Sequence, residues 1–392
     1  MSKLGVLLIG GKRSHQESHA AVFTKHPRCR LVAVADETDA PDIRHELNQE
    51  LADDHGIPYI RDLDEALARP DVHIVSMCAR IERRGVVAVK CAEAGKHVYL
   101  DKPLCGSVEA ADAIVEAMDK AGVVNQMYCT IHAGWVQRAK HAIDSGALGT
   151  LRAIHCEELF AKGPPGTAPK DVVRQEKERH TDFTFPESKR EMFDVGVYPL
   201  TAIHWLTGRK AESVTALTGN YFFAEHVEND TEDFGAISMQ LEGGISASII
   251  AGRFGYMSHP GGGVQRIVLV GDRATATFDA SRPRVEVYNT DPSFIQPDRD
   301  EFDPMRMWGS TDERVPMMPR NRWRRLDGGR DVMIDDIAAF VDCIENDNRP
   351  LITAREAAQP VEILMAAFMS AARNEAIRLP IPRNPEPSIR ST

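Results

Sequence analysis

The chain has 392 residues, 43% hydrophobic and 27% charged, an ordinary globular composition with enough length for two cores, which excludes collagen-like, low-complexity and wholly disordered proteins. Its 47 Lys and Arg against 58 Asp and Glu leave a formal charge of −11, so it lacks an electrostatic footprint for nucleic acid or anionic lipid, and neither partner is expected. No apolar run approaches the roughly 18 residues that span a bilayer, and the first, Leu4 to Ile9, is too short for a signal-peptide core, so a cytoplasmic protein is expected.

Strands and helices alternate through the first third. Leu4 to Ile9 reads as a strand, Ala20 to Phe23 as part of a helix and Cys29 to Ala35 as a second strand. Val72 to Cys78 continues as a strand, Val86 to Ala94 as a helix stopped by Gly95, and His97 to Leu100 as a further strand. Apolar strands between helices imply a parallel sheet covered on both faces. The second half differs: Phe234 to Gln240, Ile245 to Ile250, Arg266 to Val270 and Ala274 to Phe278 are consecutive strands with turns such as Glu242-Gly243-Gly244, the pattern of a largely antiparallel sheet. Ala161 to Glu191 and Ser281 to Arg330 read as long irregular stretches, which are usually functional or disordered. Helices follow from Asp331 to Asn346 and from Ala354 to Asn374, then a tail with prolines at 380, 382, 385 and 387 that is expected to be extended and mobile. The expected organisation is an N-terminal domain over 1–126, a second domain over 127–378 whose last helices pack back toward the first, and a tail over 379–392. Seven scattered cysteines without a Cys-x-x-Cys pair signal neither a disulfide framework nor a zinc site, and read as buried free thiols.

The first strand ends in Gly10-Gly11-Lys12-Arg13-Ser14-His15. A glycine turn between strand and helix at the start of a βαβ unit is where a Rossmann domain holds a pyrophosphate on a helix N-terminus. Against Gly-x-Gly-x-x-Gly only Gly10 survives, with Lys12 and His15 in place of the other glycines; Lys12 and Arg13 would offset the loss by charge. Ser14 and Glu17 match a capping box that opens the helix. Asp36 closes the second strand, where a carboxylate accepts hydrogen bonds from the adenosine ribose and repels a 2′-phosphate, so NAD is the expected cofactor; the alternative is an Asp that merely caps a turn.

At Ala94-Gly95-Lys96-His97-Val98-Tyr99-Leu100-Asp101-Lys102-Pro103-Leu104 the chain resembles the Gfo/Idh/MocA family, which carries Gly-Lys-His-Val followed by Glu-Lys-Pro; here Asp101 replaces the Glu. Asp144-Ser145-Gly146-Ala147-Leu148-Gly149, Asp194-Val195-Gly196-Val197-Tyr198 before His204-Trp205-Leu206, and the run from Ser370-Ala371-Ala372 to Leu379-Pro380 extend the resemblance over nearly the whole chain. It implies an α/β protein: a Rossmann parallel sheet, a C-terminal α/β domain with an open, mostly antiparallel sheet, a cleft between them, and oxidation of sugars or cyclitols. It also implies that Asp101 and Lys102 lie at the cofactor. Many members carry His at the position of Tyr198, whereas a subset that includes glucose-fructose oxidoreductase and dimeric dihydrodiol dehydrogenase carries Tyr, as here. Arg83 lies near the place of a frequent His, and Thr201 takes the place of a frequent second acidic residue.

Taking a hydride from a secondary alcohol requires a group that accepts the hydroxyl proton. Lys102 and Tyr198 are the candidates. Both have ordinary pKa values near 10, and a Tyr beside a Lys cation and the positive nicotinamide is expected to ionise more easily. Asp194, four residues before Tyr198, shares its helix face and would orient the acid/base or bind substrate hydroxyls. The plain alternatives are a surface Lys102 before a turn, an N-capping Asp194 and a hydrogen-bonded core Tyr198.

His132 and Trp135, after the last Rossmann strand, and His180, Asp182 and Arg190, on the irregular segment, are candidates for substrate contact. No metal site is expected: His15 and His19 have helical ligand spacing, but there they would crowd the pyrophosphate. Arg320, Arg322, Trp323, Arg324 and Arg325 read as a solvated loop, an acidic-substrate contact or a subunit contact rather than a nucleic-acid surface, and Trp308 with Met317-Met318 suggests burial against a neighbouring subunit in a homodimer or homotetramer. The expected activity is hydride transfer between a secondary alcohol of a sugar, glycoside or cyclitol and NAD. Its rivals are an enzyme using bound NAD cyclically around an elimination or hydrolysis, and an NAD-binding regulator without turnover.

Overall fold

The computed structural model describes residues 3–161, 166–185, 188–254, 263–280 and 332–383. Its first sheet is built from β1 (Leu4–Ile9), β2 (Cys29–Ala35), β3 (Tyr59–Ile60), β4 (Ile74–Met77), β5 (His97–Leu100) and β6 (Asn125–Met127). All pairings are parallel and the order is β3-β2-β1-β4-β5-β6. Residues Val6 to Ile9 and Ile74 to Met77 are buried on both faces, as a sheet between helix layers requires. The helices are α1 (Gln16–Lys25), α2 (Asp42–His55), α3 (Leu63–Leu67), α4 (Arg84–Glu93) and α5 (Val108–Ala121). Local chemistry sets their ends: the Asp62 carboxylate accepts from the Asp64 and Glu65 N–H groups to cap α3, and Ser107 caps α5, which Gly122 ends in the left-handed conformation. The strand order reverses between β1 and β4, and their carboxyl ends part there to open the crevice in which such sheets bind ligands.

After α6 (Gly134–Asp144) comes a second sheet of β7 (Leu151–Phe160), β8 (Ala211–Gly219), β9 (Phe234–Leu241), β10 (Ile245–Arg253), β11 (Val264–Gly271), β12 (Thr275–Asp279) and β13 (Ile377–Arg378). Its order is β12-β11-β7-β10-β9-β8-β13, antiparallel throughout except for β7 beside β10. The fold is therefore α/β, with a Rossmann sheet and an open, mostly antiparallel sheet. The sequence reading assigns neither β7 nor β8, because the inward row of β7 (Ile154, Cys156, Glu158) contains a carboxyl and β8 turns Leu217 outward to 68% exposure. Both break the apolar-in, polar-out alternation.

Helix α7 (Glu191–Thr207) lies on the inner face against β7 and β10, and is apolar enough to be buried almost all round. The short α8 (Ala224–Glu228) precedes β9. Helix α9 (Val332–Asn346) packs on the Rossmann sheet, where the Asp336 carboxylate accepts from Tyr99 Oη at 2.6 Å and Gln126 Nε2 at 2.9 Å. Helix α10 (Ala354–Arg373) starts in a capping box of Thr353 and Glu356, and its Ala354 N–H donates to Asn125 Oδ1 at 2.7 Å, tying it to β6.

Two expectations change. The start of the tail is anchored rather than mobile: Ile381 is buried, and Arg383 pairs with Asp112 at 2.9 Å and with Glu362. The irregular stretch from Ala161 has little regular structure over its described residues, one bridge between Thr184 and Lys189, but it is anchored where Arg174 pairs with Asp230 at 3.1 Å and Glu176 accepts from Thr218 Oγ1 at 2.7 Å. The cluster from Arg320 to Arg325, Trp308, Met317-Met318 and the last nine residues lie outside the described residues. All seven cysteines are free, and six are buried. Among the described residues no helix is long and apolar enough to cross a membrane.

Candidate active site

The crevice at the end of β1 and β4 opens into a cavity of about 340 Å³ that reaches the first turn of α7. The glycine turn forms one wall. Gly10 has φ +91°, and a Cβ there would meet the Cys78 carbonyl oxygen at 2.7 Å; a Cβ on Gly11 would meet Leu47 O and Asn48 Oδ1 at 2.5 Å. Both glycines are thus required by the close approach of the chain's own Cys78, Leu47 and Asn48, and neither lines the cavity, which begins at Arg13. Beyond them the loop departs from expectation. Lys12 turns outward to Asp54 at 2.8 Å and Glu50 at 3.6 Å and does not face the cavity. Arg13 takes a positive φ of 58° and lines the cavity with Ser14 and His15. The predicted capping box is replaced by an offset arrangement: Ser14 Oγ accepts from the Gln16 N–H, the Glu17 carboxylate accepts from the Arg13 N–H, and α1 begins one residue later, after His15.

Asp36 follows β2 as expected. Its carboxylate accepts from the Glu37 N–H and from Asn48 Nδ2, both at 2.9 Å, and it is 8% exposed, just outside the cavity lining. Each oxygen keeps lone-pair capacity for a ribose hydroxyl. Arg83 forms a two-point pair with Glu37 at 2.6 and 2.8 Å.

The turn after β5 delivers Asp101 and Lys102. Asp101 sits 2.7 Å from His15 Nδ1 and accepts from Arg84 Nη2 at 2.7 Å. Burial would raise its carboxyl, but His15, Arg84 and His19 outweigh burial and hold it well below the usual carboxylate range. Arg84, which the sequence reading missed, is buried and also donates to the carbonyls of Ala79, Asp101 and Pro103, fixing the whole turn. His19, Cys78 and Asp101 place potential metal donors within 4.8 Å of one another. Asp101 is committed to Arg84 and His15, and His19 Nδ1 to Ser76 and Cys78, whereas His19 Nε2 is buried without a hydrogen-bond partner.

Lys102 crosses to α7. Its Nζ, on a side chain 2% exposed, donates to Asp194 Oδ1 at 2.8 Å and to the Asp194 carbonyl at 2.9 Å, and lies 4.8 Å from the centre of the Tyr198 ring. The three catalytic candidates therefore meet. Burial opposes ionisation of Asp194, but Lys102 and Lys189 overcome it and keep the carboxylate charged. Tyr198 behaves contrary to expectation: burial, then the charges of Asp194, Asp101 and Glu158, push its hydroxyl well above 10, and the nearby ammonium does not compensate. Glu158, also missed, projects inward from β7 near Tyr198 and is hydrogen-bonded to Gln265 Nε2; burial raises it to about 8. Recognition of β7 as a strand would have flagged an inward carboxyl.

Of the five candidates for substrate contact, one faces the cavity. Arg190 lines it between Phe183 and Phe185, with its guanidinium carbon 5.9 and 5.4 Å from their ring centres. His132 lies 3.7 Å from Asp336 of α9, outside the cavity. Trp135 is buried against Tyr198 and Glu158 around a void too small for water. His180 is bonded to Glu176 at 2.9 Å and lines a separate cavity of about 190 Å³. Asp182 contributes only its carbonyl, which accepts from Arg190 Nε at 2.7 Å. The sequence reading omitted Lys189, Phe183 and Arg80, which do line the cavity.

A glycine turn at a Rossmann switch point, with Lys102 of the turn after β5 meeting Asp194 and Tyr198 of α7 beside the cavity, is the arrangement of an NAD-binding oxidoreductase. Residues 4–129 match the description "Oxidoreductase family, NAD-binding Rossmann fold" and residues 136–277 match "GFO/IDH/MocA C-terminal domain", together more than half of the chain. The chain belongs to the GFO/IDH/MocA family. It is 20% identical over 347 residues to the myo-inositol 2-dehydrogenase of Thermotoga maritima, covering 86% of this chain and 89% of that one. Among solved structures it resembles GenD2 from gentamicin A biosynthesis in complex with NAD, with TM-score 0.71 and 24% identity over 97% of both chains. It also resembles scyllo-inositol dehydrogenase from Lactobacillus casei with NAD(H) and scyllo-inositol, with TM-score 0.64 and 16% identity over 96% of this chain and 99% of that one.

Proposed function

We propose that the protein oxidises a secondary alcohol of a sugar, glycoside or cyclitol, using Lys102 and Tyr198 as the proton-handling pair and Asp194 as their support. The observation that carries this reading is the junction itself: Nζ of Lys102, from the Rossmann sheet, lies 2.8 Å from Asp194 and 4.8 Å from the Tyr198 ring centre, both on α7. Gly10 and Gly11 with the Arg13 to His15 turn would hold the pyrophosphate, and Asp36 the adenosine ribose. NAD bound there supplies the hydride acceptor. The chain would orient the alcohol by a hydrogen bond from the Lys102 ammonium and pass its proton to Tyr198 in the phenolate form, while Asp194 keeps Nζ in place. A positive ring close to Tyr198 would draw its hydroxyl back down from its raised value. The inositol dehydrogenases among the relatives and similar structures support a polyol substrate.

The test is a panel of sugars, inositols, glycosides and cis-dihydrodiols with NAD+, read as NADH absorbance. At least one polyol is expected to give NADH, and Lys102→Ala to lower kcat by about two to four orders of magnitude, the usual worth of acid/base catalysis. NAD binding with no NADH from any member would replace this reading with cyclic redox or ligand sensing. A cytoplasmic homodimer or homotetramer belongs to the same reading. The compartment is supported by seven free thiols, which suit a reducing environment.

A further inference from the structure

The cavity wall beside Asp194 carries more cationic than anionic charge, the reverse of the chain as a whole. Two ammonium groups share one carboxylate: Asp194 Oδ1 lies 2.8 Å from Lys102 Nζ, and Oδ2 lies 3.7 Å from Lys189 Nζ. The Lys189 side chain is 51% exposed and its contact is loose, so its ammonium keeps donors to offer. Arg190 lines the same wall, spending Nε on the Asp182 carbonyl and Nη1 on the Asp230 carbonyl. Its nearest carboxylate is Glu232, at 3.6 Å and fully buried. Burial, reinforced by Glu176, pushes Glu232 up to about 8, so it returns little charge at neutral pH. The other carboxylates lining the cavity are engaged elsewhere, Asp101 by Arg84 and His15, and Glu17 by the Arg13 N–H. Among the described residues Lys102, Lys189 and Arg190 thus share one charged carboxylate, that of Asp194, at the end of the cavity where Lys102 sits, and the N-terminus of α7 adds positive potential to the same wall. A surplus of charge in a partly buried site is unfavourable until an anion offsets it.

We propose that the substrate bound beside Lys102 carries an oxyanion, a carboxylate or a phosphate ester, held by Lys189 with Arg190 behind it. The substrate class is then a sugar acid or sugar phosphate rather than a neutral polyol. This rests on the reading of the cavity as that of a polyol dehydrogenase, and the two are separable by measuring binding and turnover independently.

Binding of glucose, glucuronate and glucose 6-phosphate to the full chain loaded with NADH is measured by calorimetry. At least one anion is expected to bind about tenfold or more tightly than glucose, the usual size of one charge-assisted contact. Whichever anion wins identifies the oxyanion. Lys189→Met is expected to abolish most of that preference, and Lys189→Arg to retain it. Affinities equal to that of glucose, a preference untouched in Lys189→Met, or no measurable binding by either anion would each overturn the proposal. Oxidation of the same three compounds with NAD+ is followed in parallel: a preference in binding without NADH would uphold the anion site while removing the dehydrogenase reading.

Discussion

Arg84 is the residue on which the site's geometry turns. It is buried, it compensates the buried charge of Asp101, and it spends its remaining donors on the backbone that presents Lys102. Removing one partner of a buried pair strands the other charge, so Arg84→Met is expected to cost about 3 to 5 kcal/mol in urea unfolding. Arg84→Met combined with Asp101→Leu should recover part of that loss, because no lone charge then remains. Sequence patterns show why residues such as Arg84 escape notice. Lys102, Asp194 and Tyr198 stand in recognisable runs, whereas Arg84 follows Arg83 at a helix start and looks like one of two surface cations. Only the fold reveals that Arg83 pairs with Glu37 while Arg84 turns inward to Asp101.

At the scale of elements, the glycine turn separates what spacing can and cannot reveal. Strand, turn and helix are legible from Leu4 onward because apolar runs and glycines mark them. The aim of each loop side chain is not, since it depends on where α2 lies: Asp54 and Glu50 of that helix draw Lys12 away. Two substitutions make the contrast measurable by NAD titration. Gly10→Ala, at φ +91° and 2.7 Å from a backbone oxygen, is expected to weaken NAD affinity severely and to lower Tm. Lys12→Ala is expected to leave Kd for NAD within about twofold, as removal of an exposed ion pair usually does. Strand β7 teaches the complementary lesson: an inward Glu158 hides a strand from any reading based on alternation.

For the whole molecule, the join between α9 and the Rossmann sheet carries a pH signature. Burial raises Asp336 to about 7, against the hydrogen bonds of Tyr99 and Gln126 that favour its ionised form. The unfolded chain therefore releases this proton near its ordinary value of 3.8 while the native chain retains it. Stability conferred by the retained proton is full at low pH and is lost as pH rises from about 4 to 7, with a slope of up to about 1.4 kcal/mol per pH unit. Urea melts at pH 5 and pH 8 should show Asp336→Asn gaining relative to the parent chain at the higher pH. An unchanged difference would mean that the carboxyl ionises alike in both states. The expectation that the last helices pack back toward the first domain does not reach this contact, since Tyr99 and Asp336 are 237 positions apart and neither motif nor period links them.

The bonding around one nitrogen has a stoichiometric consequence. An ammonium offers three hydrogens, and Asp194 occupies two directions from Lys102 with its side-chain and main-chain oxygens. With two directions fixed by Asp194, the third is the only one in which this nitrogen can reach a bound hydroxyl without dismantling the joint that holds the two halves of the site together.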